Sequence, residues 1–198
     1  MVFMNEVLAN IQARRSVRAY SEEKVEKEQL MEIITAGTFA PNGMGLQPLR
    51  FVVITDMVMM KRYSDMCKAM AVQMFQQMIK DHPEQAAARE PLIKMLSNPD
   101  NNIFYNAPVL ILVFAAPNAL TPLEDGALCA ENMMLAAASI GVGSCWMGFA
   151  NPISMSPAAL KELNVPADHK LVAPIIFGYP AKEPTPNHRD EPNILKWI

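Results

Sequence analysis

The sequence predicts a single domain that mixes helices with buried strands. Its 198 residues are 51% hydrophobic and 19% charged, a balance that allows one sizeable core and excludes a disordered polymer. Strands are predicted over 50–55, 109–115 and 171–178, where apolar residues follow one another almost without interruption. No repeat or low-complexity linker divides the chain, so we expect one domain over 1–198.

Five helices are predicted, the first three from apolar residues that recur every three or four positions and the fourth from its run of small residues. They span 4–13, about 26–39, about 57–80, 125–140 and 157–163. The second stops before Pro41, because the residue in front of a proline avoids helical angles. Methionine recurs every four residues along the third: Met66, Met70, Met74, Met78. Such a stripe favours a core or dimer-facing surface over an adaptable methionine surface for substrates.

Four other segments carry weaker predictions. The strand over 50–55 is nearly continuous in hydrophobicity, which predicts a central position in the sheet. A short strand is expected over 144–150. Residues 81–107 are polar and contain three prolines, so we expect an irregular excursion with short helical pieces and a mobile lid. The proline-rich arm over 180–198 ends in Ile194-Leu195-Lys196-Trp197-Ile198, for which a partner subunit is a natural docking surface.

Charge and cysteine usage exclude several classes of protein. The formal net charge is −3, so no overall basic field would attract nucleic acid or anionic lipid. Cys67, Cys129 and Cys145 are odd in number and far apart, without the spacing of a metal site or a disulfide framework. We expect small buried thiols in a reducing, cytoplasmic environment, with no membrane span and no secretory signal.

Two stretches concentrate groups suited to a phosphate-bearing cofactor. Arg14-Arg15-Ser16-Val17-Arg18 places three guanidinium groups and a hydroxyl directly after the first helix. Arginines are planar, permanently charged donors for phosphate oxygens. Pro41-Asn42-Gly43-Met44-Gly45-Leu46-Gln47-Pro48 is a loop whose glycines let backbone approach a ligand closely. A simpler account of Arg14 and Arg15 is that cations stabilise the C-terminal end of a helix.

Familiar cofactor and nucleophile motifs are absent from the sequence. No G-x-G-x-x-G lies between a strand and a helix, and no G-x-x-x-x-G-K-[ST] occurs. Gly141-Val142-Gly143 follows a helix, which is the wrong order for a dinucleotide-binding turn. There is no G-x-S-x-G elbow, so a cofactor-free hydrolase has little support.

Four segments, taken in order, resemble the nitroreductase family of FMN-dependent enzymes over nearly the whole chain. They are Arg14–Arg18, Ala40–Gly43 with Leu46-Gln47-Pro48 leading into Arg50–Val53, Gly141–Gly148, and Phe177–Pro180 before the proline-rich end. The resemblance implies an α+β fold, with a mostly antiparallel central sheet flanked by helices, in an intertwined homodimer. It also implies FMN as cofactor and NADH or NADPH as co-substrate.

The resemblance implies binding roles for individual residues rather than catalytic side chains. Arg14 and Ser16 resemble phosphate and ribityl ligands, with Arg15 beside them. Arg189 matches a C-terminal basic residue on the phosphate, and Arg18 resembles the cation at the pyrimidine side of the flavin. The other implied cofactor contacts are Pro41, Asn42 and Gly43 from the other subunit, Gln47, and the backbone of Met147 and Gly148 near flavin N5.

Three positions depart from the family pattern. Leu49 stands where an aromatic residue is common, and Gly45 stands where Asn is common. Both bear on substrate preference. Asn187 stands where a second basic residue often precedes Arg189, and the loss of that cation would weaken the grip on the phosphate.

The implied activity is transfer of a hydride from NAD(P)H to nitroaromatics, quinones or similar small electron-poor acceptors, by a ping-pong mechanism. Two alternatives stay open. One is a flavin-binding storage or sensing protein without turnover. The other is a specialised relative, such as a dehalogenase, an ene reductase or a flavin destructase, and the segment over 81–107 would decide between these activities.

Overall fold

The computed structural model describes residues 5–185 and 188–198. The α-helices among them are α1 (Glu6–Ala13), α2 (Lys27–Thr38), α3 (Met57–Asp81), α4 (Ala86–Leu96), α5 (Pro122–Ser139) and α6 (Pro157–Glu162). The strands are β1 (Leu49–Ile54), β2 (Val109–Ala115), β3 (Gly143–Trp146) and β4 (Lys170–Gly178). Short 3₁₀ helices span Gly43–Gly45, Pro83–Gln85 and Gly148–Met155. Most predicted elements are confirmed; Met4, predicted on the first helix, lies outside the described residues.

The four strands form one antiparallel sheet in the order β1-β2-β4-β3. β2 and β4 lie at its centre, and every residue of β2 is buried. β1 lies at an edge and is only partly buried, so the prediction of a central position for 50–55 is wrong within one chain. Its hydrophobic run includes the exposed Val53. Apolar side chains on an open edge strand indicate a surface that a single chain leaves uncovered.

Hydrophobic clusters cover both faces of the sheet. On one face, Leu110 and Leu112 of β2 pack with α3 and with the 3₁₀ helix Gly148–Met155. On the other face, Ile111 and Val113 pack with α2 and α5. Because successive side chains of a strand point to opposite faces, burial on both faces explains why β2 is hydrophobic without interruption.

The methionine stripe of α3 lies beside the buried face of the helix. That face is formed by Met60, Tyr63, Ser64, Cys67, Lys68 and Ala71. Met66, Met70 and Met78 are half-buried, whereas Met74 is exposed. The core interpretation is therefore only partly correct. The stripe is a border between core and surface.

Two segments differ in secondary structure from the prediction. Residues 81–107 contain the three-turn helix α4, because its run of alanines and other strong helix formers outweighs Pro91. The strand expected over 144–150 ends at Trp146 and gives way to a 3₁₀ helix. Gly148 and Pro152 lie in that helix, and both residue types weaken a strand.

Candidate functional site

The arginine cluster lies on an extended stretch between β3 and the chain that follows β4. Val17 N donates a hydrogen bond to Ser144 O at 2.9 Å, and Ala181 N donates to Ala19 O at 2.9 Å. Gly143 permits this close approach, because a Cβ there would lie 2.7 Å from the Val17 side chain. Backbone hydrogen bonds on both sides therefore fix the position of the cluster.

A cavity of about 580 Å³, here called the basic cavity, opens beside this stretch. Its walls are residues 14–19 and 182–185 together with Arg189. The charged side chains that line it are five cations, Arg14, Arg15, Arg18, Lys182 and Arg189, and one carboxylate, Glu183. The chain as a whole is acidic, so this concentration of positive charge is local. It suits a small anion with several oxygen atoms.

The three arginines of the cluster are engaged differently. Arg15 donates to the carbonyls of Gln12 and Arg14 at the end of α1, and to the Thr185 carbonyl in the C-terminal arm. The simpler account, a cation at a helix end, therefore describes Arg15. The Nε of Arg14 lies 3.4 Å from the Glu131 carboxylate and is buried without a hydrogen-bond acceptor among the described residues. A buried donor without an acceptor fits a site that receives an anion.

A second cavity, of about 500 Å³ and here called the apolar cavity, shares Arg18 with the first. It is lined by the end of β3, by α3 and by the segment before β2. Its large apolar side chains are Met74, Phe75, Trp146, Met147, Phe149 and Met155. Among the described residues of this lining, Arg18 is the one that carries a charge. A single guanidinium thus connects an anion-binding end with an aromatic, apolar end.

Backbone and ring contacts hold the wall of the apolar cavity around Met147. Met147 N donates to Pro174 O at 2.8 Å, and Met147 O accepts from Ala150 N at 2.9 Å. Phe149 packs edge-on against Phe75 of α3, with ring centres 6.5 Å apart and planes at 81°. Beside it, a Cβ placed on Gly148 would have no neighbour within 4 Å. The wall is rigid, yet it leaves room for a ligand beside the backbone of Gly148.

Burial keeps two groups near Arg18, the Cys145 thiol and the Tyr20 phenol, neutral near pH 7. Burial raises the pKa of the Cys145 thiol, although Arg18 acts in the opposite direction. Burial also raises the pKa of the Tyr20 phenol, whose hydroxyl donates to Val17 O at 2.7 Å. Neither group is poised as a nucleophile or a base. The arrangement is suited to binding and orienting a ligand.

Neither cavity is lined by the predicted loop residues Pro41, Asn42, Gly43 and Gln47. Their loop is fastened at the start of α5, where Gly43 N and Thr121 Oγ1 donate to Asp125 Oδ1 at 3.0 and 2.8 Å. Gln47 N donates to Asn42 Oδ1 at 2.8 Å. The role of this loop toward a flavin of the other subunit stays a prediction. Asn187, the departure from the family pattern near Arg189, lies outside the described residues.

The sequence reasoning missed several residues that line the two cavities: Tyr105, Met155, Phe75, Lys182 and Glu183. Lys182 had a detectable signal, since it lies in the proline-rich arm just after the last predicted strand, which ends at Gly178, and precedes Arg189. Tyr105 had none, because no local motif surrounds it. Its place beside Arg18 depends on how distant parts of the chain pack.

Residues 5–185 and 188–198 contain neither a candidate metal site nor a candidate membrane-spanning helix. No cluster of three or more His, Cys, Asp or Glu side chains in these ranges is arranged to hold a metal ion. In the same ranges, no helix is both long enough and apolar enough to cross a membrane.

Fold and site together define a class of protein. A helix-flanked antiparallel sheet supports two cavities joined by one cation, a form that fits a ligand with a phosphate end and a flat ring. The family model described as "Nitroreductase family" matches residues 11–179. The chain therefore belongs to the nitroreductase family, and the family and fold class predicted from the sequence are confirmed.

Two named relatives illustrate the range of activities in similar sequences. A putative NADH dehydrogenase/NAD(P)H nitroreductase of Archaeoglobus fulgidus is 29% identical over 186 residues, covering 91% of this chain and 88% of the relative. An iodotyrosine deiodinase of Thermotoga neapolitana is 24% identical over 193 residues, covering 93% of each chain. Similar sequences thus include proteins named for two different reactions.

Solved structures show the same fold. A nitroreductase with bound FMN from Bacteroides fragilis superposes with a TM-score of 0.80 at 29% identity, covering 98% of this chain and 99% of its own. An iodotyrosine deiodinase bound to FMN and 3-iodo-L-tyrosine gives a TM-score of 0.74 at 23% identity, covering 97% and 98%. The second likeness, at its lower identity, concerns the fold alone.

Proposed function

We propose that this protein is an FMN-dependent oxidoreductase that takes a hydride from NADH or NADPH and reduces a small electron-poor acceptor. The observation that carries the proposal is Arg18, which lines both cavities. A ligand with a phosphate at one end and an aromatic ring at the other would occupy both at once. FMN has this form, and the B. fragilis nitroreductase described above contains it.

The residues of the basic cavity fit the phosphate end of FMN. Arg14, Lys182 and Arg189 offer charge-assisted donors, which are the strong kind for a phosphate dianion. Ser16 adds a hydroxyl to the same wall. Arg15 supports the site indirectly, because its guanidinium ties α1 to the C-terminal arm. We therefore assign Arg15 a structural role beside the phosphate and not a direct one.

The apolar cavity supplies an environment for the ring. Bound FMN would contribute the redox chemistry, accepting a hydride from the nicotinamide and passing reducing equivalents to the acceptor. Arg18 would stabilise negative charge on a bound ring, and apolar walls that exclude water would strengthen this effect. The backbone at Met147 and Gly148 lies on the cavity wall, where it would orient the ring without adding a reactive side chain.

A ping-pong mechanism follows if both substrates use one opening. The apolar cavity has a volume of about 500 Å³, within the range of small-molecule sites, and would hold the flavin ring with one face open. The nicotinamide and the acceptor would then stack in turn on the exposed face of the ring. The neutral thiol of Cys145 and phenol of Tyr20 would take no part as acid or base.

We further propose that the working form is an intertwined homodimer. Large apolar side chains are exposed on the loop and helices around Gly43, among them Phe39 at 81%, Met44 at 85% and Leu120 at 63%. A contiguous apolar surface of this kind marks an interaction site. A partner lying there would receive the loop 41–48, which agrees with the predicted role of this loop at a flavin of the other subunit.

The C-terminal arm supports the same proposal. Leu195 is 95% exposed and Trp197 is 85% exposed, so the apolar end finds no cover on its own chain. The sheet meanwhile presents the free edge of β1, with apolar side chains along it. Backbone groups on an open edge and an extended apolar arm are complementary, because a strand can be added to such an edge.

A second candidate is a dehalogenating activity on an amino acid, which the similarity to iodotyrosine deiodinases makes worth testing. A free amino acid carries a carboxylate, which Arg18 can pair with, and an ammonium group, which needs a carboxylate or several carbonyls. The described lining of the apolar cavity contains no carboxylate, and its one charge is the cation Arg18. This lining favours neutral or anionic aromatic acceptors over amino acids.

Spectroscopy of the purified protein followed by a steady-state assay tests the proposal. We expect yellow protein with about one FMN per chain, and oxidation of NADH or NADPH that depends on a nitrofuran or a quinone. Iodotyrosine serves as the competing acceptor in the same assay. Flavin binding without turnover of any acceptor would indicate the storage or sensing alternative, and colourless protein that takes up no added FMN would refute the cofactor assignment.

A further inference from the structure

Tyr105 lies between α4 and β2 and lines the apolar cavity. Its backbone φ is 53°, and that of Asn106 is 55°, so two consecutive residues other than glycine are in the left-handed region. Asn tolerates this conformation, but a bulky aromatic residue adopts it only where its surroundings enforce it. The surroundings of Tyr105 must therefore enforce this conformation, and such strained residues are often functional.

Asn102 is the first part of the cause, since it bonds to three residues of the turn that follows it. Its Oδ1 accepts from Phe104 N at 2.9 Å, and its Nδ2 donates to Asn106 Oδ1 at 2.8 Å. Its backbone carbonyl accepts from Tyr105 N at 2.9 Å. One side chain and one peptide thus close the turn around Tyr105.

Helix α3 is the second part of the cause. Ser64 Oγ accepts from Ile103 N at 3.0 Å, and the buried Lys68 donates to the carbonyls of Asn98 and Asn101 at 3.1 and 2.6 Å. Phe104, the neighbour of Tyr105, is fully buried in the core. The segment before Tyr105 is therefore anchored to the body of the protein.

The position of Tyr105 in the apolar cavity indicates a function. Its side chain is 37% exposed and shares the apolar cavity with Arg18 and the wall at Met147. An anchored, strained residue on a cavity wall is preorganised for a ligand.

We propose that Tyr105 contacts the flavin ring in the apolar cavity and that its hydroxyl donates a hydrogen bond to a carbonyl of that ring. The inference rests on the proposed function, since it requires a flavin. The anchored backbone of this turn favours a resident cofactor over a transient acceptor, because preorganisation lowers the cost of holding one partner. Tyr105 would then help Arg18 to define where the ring lies.

Tyr105→Phe tests the proposal, because it removes the hydroxyl and keeps the ring. We expect the Kd for FMN, measured by quenching of flavin fluorescence, to rise about fivefold, the effect of one hydrogen bond. The visible absorption band of the bound flavin should shift as its carbonyl loses a donor. Tyr63→Phe is the matched control, since the Tyr63 hydroxyl donates to Glu162 at 2.8 Å and lines neither cavity.

Asn102→Ala provides a second, independent variant. It frees the turn without altering a residue of the cavity lining, so FMN affinity should fall while Tyr105 is retained. An unchanged FMN Kd and an unchanged flavin spectrum in Tyr105→Phe would overturn the inference. So would a change confined to the KM for the acceptor. If the parent protein binds no FMN, the proposed function itself fails, which is a separate result.

Discussion

The basic and apolar cavities share Arg18 but are built in opposite ways. Most walls of the basic cavity come from two short runs of chain, 14–19 and 182–185. The apolar cavity draws on α3, on Tyr105 and on 145–155, which are far apart in sequence. Charge held on one extended stretch can be recognised from local sequence, whereas an apolar surface assembled from distant elements appears only after folding. The difference also separates two kinds of affinity, one electrostatic and one from burial.

The largest expected effect is loss of the homodimer, in which a second chain would complete the site. Deleting residues 190–198 removes four exposed apolar residues, each worth about 1.5–3 kcal/mol if buried in a dimer. We expect the variant to dissociate at concentrations where the parent is dimeric, and its melting temperature to fall and to depend on concentration. Analytical ultracentrifugation measures the first and differential scanning calorimetry the second. A stable, flavin-loaded monomer of the full chain would contradict the homodimer proposal.

Arg14→Ala should have the next largest effect and should act on the basic cavity alone. We expect FMN binding to weaken by about 1.5–3 kcal/mol, the contribution of a charge-assisted hydrogen bond. Binding of riboflavin, which lacks the phosphate, should be nearly unchanged in the same variant. Isothermal titration calorimetry with both ligands separates the two ends of the site.

Arg15→Ala is the matched control, because its guanidinium is engaged by backbone carbonyls. It should lower thermal stability more than it lowers FMN affinity. Equal loss of FMN and riboflavin affinity in Arg14→Ala would show that the phosphate assignment is wrong.

Arg18→Gln should act on both cavities, because this side chain lines each of them. Removing the cation beside the ring should lower the two-electron reduction potential of bound flavin, and each 30 mV corresponds to about 1.4 kcal/mol. A photoreduction titration against a reference dye measures the shift. A potential equal to that of the parent would place the cation away from the ring.

The smallest effect is expected outside both cavities and gives a baseline for the others. Hydrogen bonds from Arg62 and Tyr63 lower the pKa of Glu162. A lowered pKa means that the pair stabilises the protein at neutral pH and that this contribution is lost as pH falls below the ordinary range of a glutamate. Glu162→Gln should reduce the melting temperature slightly at pH 7 and hardly at pH 3, with FMN affinity unchanged.

The family and most elements could be predicted because their signals are local. The Arg14–Arg18 run, the hydrophobic run of β2 and the proline before the loop each depend on neighbouring residues. The edge position of β1 in the sheet could not be predicted. A hydrophobic run does not show whether a strand has neighbouring strands on one side or on both. The hydrogen bonds of Arg15 could not be predicted for a related reason. Its partners are backbone carbonyls, which any sequence provides.

The apolar cavity was largely beyond prediction. Met74 was noticed as part of a stripe, but its place in the same cavity lining as Met147 depends on the packing of α3 against the 3₁₀ helix that follows β3. Tyr105 reaches the same cavity through an unusual backbone conformation that no residue preference indicates. Both are consequences of tertiary structure, which periodicity and composition describe only indirectly.

The burial of all three cysteines bears on how such a protein would age during turnover. Burial raises the pKa of Cys67 and of Cys129 to about 12, and thiols that stay protonated resist peroxide. Reduced flavins release peroxide in air, and the exposed thioether of Met155 lies on the wall of the apolar cavity, within its reach. We expect oxidative wear to accumulate as methionine sulfoxide, which cells can repair, and peptide mass spectrometry after aerobic turnover would show whether the cysteines are spared.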